Sequence, residues 1–115
     1  MKKIFLSIVF FTQILFVTNA FSSTYIGKVS SINIREVDGL VWVDIIGSRS
    51  GDLPSCAKDR NYMMIKNENS ATGKRQLALL MMAQASNKTV KIDGMNTCTR
   101  WGDGEDIGTV QIQKN

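Results

Sequence analysis

Residues 25–46 read YIGKVSSINIREVDGLVWVDII, and the phase of their apolar positions decides the fold. Tyr25, Gly27 and Val29 keep a period of two, and the phase then moves to Ile32 and Ile34, a slip of one residue across Ser30-Ser31. Side chains alternate between the faces of a strand, so one extra residue sends every later side chain to the wrong face unless the strand bulges or bends there. The spacing therefore predicts one bent strand over Tyr25–Glu36. Asp38-Gly39 follows between two apolar runs, a pair strongly favoured in tight hairpin turns. The returning strand, Leu40–Ile46, carries Val41, Val43 and Ile45 on one face and Leu40, Trp42 and Ile46 on the other, so both faces are expected to be covered in part.

Beyond this hairpin, Gly47–Ala57 holds Gly, Ser, Asp and the only proline, Pro54, and reads as a loop ending near Cys56. A third strand is predicted at Asn61–Lys66, with Met63 and Ile65 against Tyr62 and Met64. The period changes between Thr72 and Ser86, where Leu77, Leu80, Met81 and Ala85 fall on one face of a helix. Ser70 or Thr72 is placed to cap its start and Asn87 to end it in a left-handed conformation. Ala78 and Met82 lie off that stripe, where a neighbouring subunit would meet them. Thr89–Asp93 returns to period two with Val90 and Ile92 inward, Gly94 ends it, Cys98–Glu105 forms a polar loop around Trp101, and Ile107–Ile112 is the last strand. The order β-β-β-α-β-β is that of the OB-fold, a small five-stranded barrel with one helix between strands three and four. A first strand serving both layers of such a barrel must bend, which the Ser30-Ser31 slip provides. The same string also allows an open α+β sheet with the helix on one face.

Toward the N-terminus, Lys2 and Lys3 precede the apolar run Ile4–Val17, interrupted by Ser7, Thr12 and Gln13 and followed by Thr18, Asn19 and Ala20. This is the pattern of a secretory signal peptide, 1–20. The run is shorter than the roughly 20 apolar residues of a spanning helix. Cleavage is expected after Ala20, with Ser22 as a second option, leaving no membrane span and one domain, 21–115, in the periplasm or outside the cell. Its 95 residues suffice for one small core with little stability to spare. An oxidising compartment makes pairing the default for the two cysteines, Cys56 and Cys98. Closing their loop of about 43 residues stabilises by roughly 4 kcal/mol in the chain-entropy picture.

Charge and residue types then exclude several functions. The 14 basic residues include Lys2 and Lys3, which leaves 12 against 10 acidic ones after processing, a net +2 with no basic run. A groove that tracks phosphates needs clustered Lys and Arg, so a nucleic-acid partner is not expected. With no histidine and its cysteines paired, the chain has no Ser-His, Cys-His or metal-histidine arrangement, and it is read as a non-enzymatic protein without a cofactor. Asp103, Glu105 and Asp106 lack the alternating ligands and final bidentate glutamate of a calcium loop, so no metal site is expected. What remains is binding. OB-folds bind oligosaccharides or oligonucleotides on the face of strands two and three. Trp42 and Tyr62 fall on that face, with Arg100, Trp101, Asp103 and Glu105 in the last loop. Aromatic rings beside hydrogen-bonding groups suit a sugar, which has an apolar ring face and a rim of hydroxyls. Trp42 also reads as core or subunit interface, and Trp101 as a cover for the disulfide.

The exported domain, its β-β-β-α-β-β order, Cys56 before strand three, the helix with Leu77, Leu80 and Ala83, the strand Thr89-Val90-Lys91-Ile92 and then Cys98 together resemble the binding subunits of AB5 toxins, closest to the subtilase-cytotoxin and pertussis-like B subunits. The resemblance covers most of the mature chain. It implies a homopentameric ring with a helix-lined pore, recognition of sialylated glycans and a separate catalytic A subunit. It also adds Ser30 or Ser31, beside the bend, as residues that line a glycan pocket. The chain departs from the family in being shorter after the second cysteine and in lacking an aromatic-rich segment around the pocket. The alternative function is that of a monomeric periplasmic accessory protein of the same fold that binds a protein partner.

Overall fold

The computed structural model describes residues 22–115, so the expected signal peptide lies outside the described residues. The chain runs β1 (Ser23–Ile34), β2 (Val41–Gly51), a 3₁₀ turn (Ser55–Ala57), β3 (Tyr62–Met64), α1 (Ala71–Ala85), β4 (Thr89–Gly94) and β5 (Glu105–Ile112). The strands close into a barrel in the order β1-β2-β3-β5-β4, with β4 returning to β1. This is the expected OB-fold-like architecture, and closure rules out the open sheet. Four of the five seams are antiparallel, and the fifth, β3 with β5, is parallel and only two residues long: Met63 opposite Glu105 and Met64 opposite Asp106.

The bend falls where the apolar phase slips. The β1–β2 register breaks between Val29 and Ser31, leaving Ser30 as the extra residue. Tyr25 and Val29 before it, and the partly buried Ile32 after it, all reach the core that way. Ile34 shares that phase but overruns the end of the barrel and is 64% exposed. The turn closes through Arg35 N–H to the Leu40 carbonyl (2.9 Å) and Gly39 N–H to the Arg35 carbonyl (2.8 Å), with Gly39 at φ +70.

Two expectations are corrected. Gly47–Gly51 is not loop but the continuation of β2, paired residue for residue with Ser23–Gly27. Its small and polar residues hid this strand, and at Gly47 backbone proximity demands the glycine. Gly27 and Gly47 sit opposite each other so closely that a Cβ on either would lie 2.1 Å or less from a backbone oxygen across the ladder. The helix also turns inward only half of the expected stripe: Leu77 and Leu80 reach the core, and Met81 and Ala85 do not. Gly73, Gln76, Leu80 and Ala83 are buried, whereas Met81 is 54% exposed and Ala85 lies at the surface, as do Ala78 and Met82. Gln76 belongs on this face because its amide donates to the Gly108 carbonyl at 2.8 Å. The helix ends are as expected. The Ser70 hydroxyl accepts from Gly73 N–H at 2.9 Å, and Asn87 at φ 53 lets the Lys88 and Asn87 amides reach the Ala83 and Gln84 carbonyls.

The core joins Val41, Val43 and Ile45 of β2 to Tyr25, Val29, Met63, Ile65, Val90, Ile92 and Ile107, with Leu80 and Ala83 closing it from the helix. At the parallel seam Glu105 is fully buried. It accepts from the Ser23 hydroxyl, from Arg49 Nη2 (2.8 Å) and from the Asn96 amide (2.9 Å). Cys56 and Cys98 form a disulfide that ties the approach to β3 to the segment following β4.

Two substitutions test these supports. Glu105→Gln keeps the shape but strands the nearly buried Arg49 without its charge partner, and it should cost about 3–5 kcal/mol in a urea unfolding curve. Cys98→Ser releases a loop spanning 42 positions and should cost about 2–5 kcal/mol, read as a lower melting midpoint without reductant.

Candidate functional site

Strand alternation sends Trp42 and Asp44 to the outside of the barrel, between the inward Val41, Val43 and Ile45. Cross-strand register then builds two rows on this outer face. Asn33, Trp42 and Met64 make one, and Ser31, Asp44 and Tyr62 make the other. The first row continues across the parallel seam to Asp106.

Asp106 is fully buried although it points outward, because the segment 97–100 folds over it. Its carboxylate accepts from the Thr97 and Thr99 hydroxyls (2.7 and 2.6 Å) and from the Thr99 and Arg100 amides (2.9 and 3.3 Å). Burial pushes this carboxyl up, but the donors from Thr99, Thr97 and Arg100 outweigh it and hold it below the usual carboxylate range. Holding that segment down brings Trp101 against the outer face. A tight turn bridges Trp101 to Gly104, where a Cβ would meet Met64 Cγ at 2.5 Å.

The result is a cleft of about 220 Å³ lined by Arg35, Leu40, Trp42, Tyr62, Met64 and Trp101. Leu40 and Met64 are buried beneath it, and Trp101 is 40% exposed. Its walls are braced by charge. The Tyr62 hydroxyl donates to Asp103, which also accepts from Arg60 Nε at 3.0 Å. The Tyr62 bond, reinforced by Arg60, holds the Asp103 carboxyl below its ordinary value. Burial, then the bond to Asp103, pushes the Tyr62 phenol up, so it stays a neutral donor. Arg35 stacks over Trp101 at 4.7 Å and pairs with Asp38 through Nε and Nη2 (3.0 and 2.6 Å).

Of the residues expected from sequence, Trp42, Tyr62 and Trp101 therefore meet in one cleft, and Asp103 stands behind Tyr62, whereas Glu105 is buried on the barrel side with Arg49 and Ser23 and does not line it. Arg100 braces the rim instead. Its Nε reaches Glu68 at 2.8 and 3.1 Å, and Nη2 reaches the Asp38 carbonyl at 3.1 Å. Ser31 lies on the same face through Asp44, to whose Oδ2 its hydroxyl donates at 2.6 Å, while Ser30 donates to the Asp44 carbonyl at 2.9 Å. Sequence reading missed Arg35, Leu40, Met64 and Asp44. Leu40 and Met64 already stood in phase with Trp42 and Tyr62, whereas Arg35 and Asp44 depend on the hairpin register. Asp103, Glu105 and Asp106 face three separate sets of partners, and no group of metal-binding side chains occurs among the described residues. No protein-family model, curated protein or solved structure matches the chain.

Acid should loosen one wall at a defined pH. The bond from Arg35 holds Asp38 at about 2, against an ordinary value of 3.8. A folded value below the unfolded one stabilises above the unfolded value and is lost as pH falls through the folded one. Tryptophan emission of the folded protein should therefore stay flat down to about pH 3 and change in a transition centred near pH 2 as Arg35 leaves Trp101. A transition centred above pH 5, or one unaltered in Asp38→Asn, would contradict this origin.

Proposed function

We propose that the protein is a non-enzymatic binding subunit that is exported and recognises a glycan through the Trp42–Tyr62–Trp101 cleft. The observation carrying this reading is the cleft itself, three aromatic rings beside the polar row of Ser31 and Asp44. Sugar rings stack their apolar faces on such rings and give their hydroxyls to carboxylates and amides. Export is supported by the Cys56–Cys98 disulfide and by the leader-like pattern of residues 1–20. No helix among the described residues is long and apolar enough to cross a membrane. The resemblance to AB5 toxin binding subunits extends the proposal to a homopentamer carrying a separate A subunit. The exposed Met81 and Met82 on α1 suit contact with a second copy.

A second reading, a monomeric accessory protein that binds a protein partner, is favoured by Ile34 and Val37, which are 64% and 79% exposed around the hairpin tip. A glycan array with the purified mature protein separates the two. Binding should fall by at least about tenfold in Trp42→Ala and Trp101→Ala, which truncate central aromatic contacts. A monomer in sedimentation with no array signal would refute the first reading.

A further inference from the structure

The charges around the cleft narrow the sugar class. Three arginines border this face, and each already meets a carboxylate: Arg35 on Asp38, Arg60 on Asp103 and Arg100 on Glu68. An anionic ligand must share or displace one of these partners to gain a guanidinium. Asp44 is different. It is half-buried, directly opposite Tyr62 on β3, and has no cationic partner among the described residues. Its Oδ2 takes the Ser31 hydroxyl and the Asn33 amide (2.6 and 3.3 Å), while Oδ1 receives no donor from the described residues. Residues directly opposite in a ladder hold their Cβ atoms about 5 Å apart, so a ring seated against Tyr62 brings its rim within reach of Asp44.

Resting on the glycan reading above, and departing from the sialylated ligands that the AB5 resemblance implies, we propose that the cleft takes an uncharged sugar, with a hydroxyl donating to Asp44 Oδ1, and rejects sugars whose rim carries a carboxylate. A hydroxyl supplies the proton that Oδ1 lacks. A carboxylate at neutral pH has none to give and meets the like charge of Asp44, a repulsion that salt screens.

The test is an array of oligosaccharide cores, each printed neutral and with a terminal uronate or sialate, probed with the full mature protein at pH 7. Neutral cores should bind at least about tenfold more strongly than their acidic versions, and the ratio should shrink in 0.5 M salt, which cuts the screening length to a few ångströms. Asp44→Asn should weaken the neutral cores and bring the ratio toward one, with an unchanged melting midpoint confirming its fold. Acidic cores bound as well or better would overturn the charge inference and leave the glycan reading standing. No signal on any core would overturn both.

Discussion

The barrel depends on its shortest seam. Parallel pairing is slightly weaker per residue than antiparallel pairing, and β3 and β5 have only two positions in which to make it. Those positions place one carboxylate on each side of the sheet. Glu105 faces the barrel with Arg49, Ser23 and the Asn96 amide, and Asp106 faces outward under residues 97–100. A slip of one residue would exchange the two faces. Glu105 would lose Arg49, Asp106 would lose its threonine hydroxyls, and each buried charge would be left with the wrong partners. The carboxylates thereby fix the register at which the barrel closes, whether or not they add net stability over an apolar pair.

The same seam positions the cleft. Asp106 draws residues 97–100 down onto the sheet, and Trp101, next in the chain, is delivered over Met64 and beside Tyr62. The disulfide at Cys98 anchors this segment a second time, to the 3₁₀ turn leading into β3. Fold and candidate site thus share their constraints, so damage at Glu105 or Cys98 reaches the cleft without touching any residue that lines it.

What was legible in the sequence was local. The bulge at Ser30, the Asp38-Gly39 turn, the Ser70 cap and the Asn87 terminus each depend on a few adjacent residues and were found where expected. The buried helix face was found only in part, at Leu77 and Leu80, because an apolar period gives no weight to Gly73 or Gln76, one chosen for close approach and the other for its bond to Gly108. The far half of β2 was hidden by Gly47, Ser48 and Ser50, which a sequence window cannot tell from loop, although only Gly47 is required by the close approach to Gly27. Trp42 and Tyr62 followed from strand alternation. Asp44 and Arg35 did not, because their neighbours are set by a register that one bulge shifts by a residue.

The cleft is small and stiff, and the two properties pull affinity in opposite directions. Asp103 holds Tyr62, Arg35 rests on Trp101, and Ser31 with Asn33 holds Asp44, so these groups have little freedom left to lose when a ligand arrives. Yet at about 220 Å³ the cavity lies below the range of roughly 300–1,000 Å³ typical of pockets that enclose a whole ligand. On the proposed glycan reading, a rigid cleft of this size would contact one end of a glycan and leave the remainder in water. Affinity from a single copy is then bounded by that small contact, whatever its geometry. On that reading, strong attachment to a glycan-bearing surface would come from several clefts engaging together, where each later contact forms at high effective concentration. For a binding subunit with this cleft, the number of copies held in one assembly therefore governs attachment as much as any residue in the cleft itself.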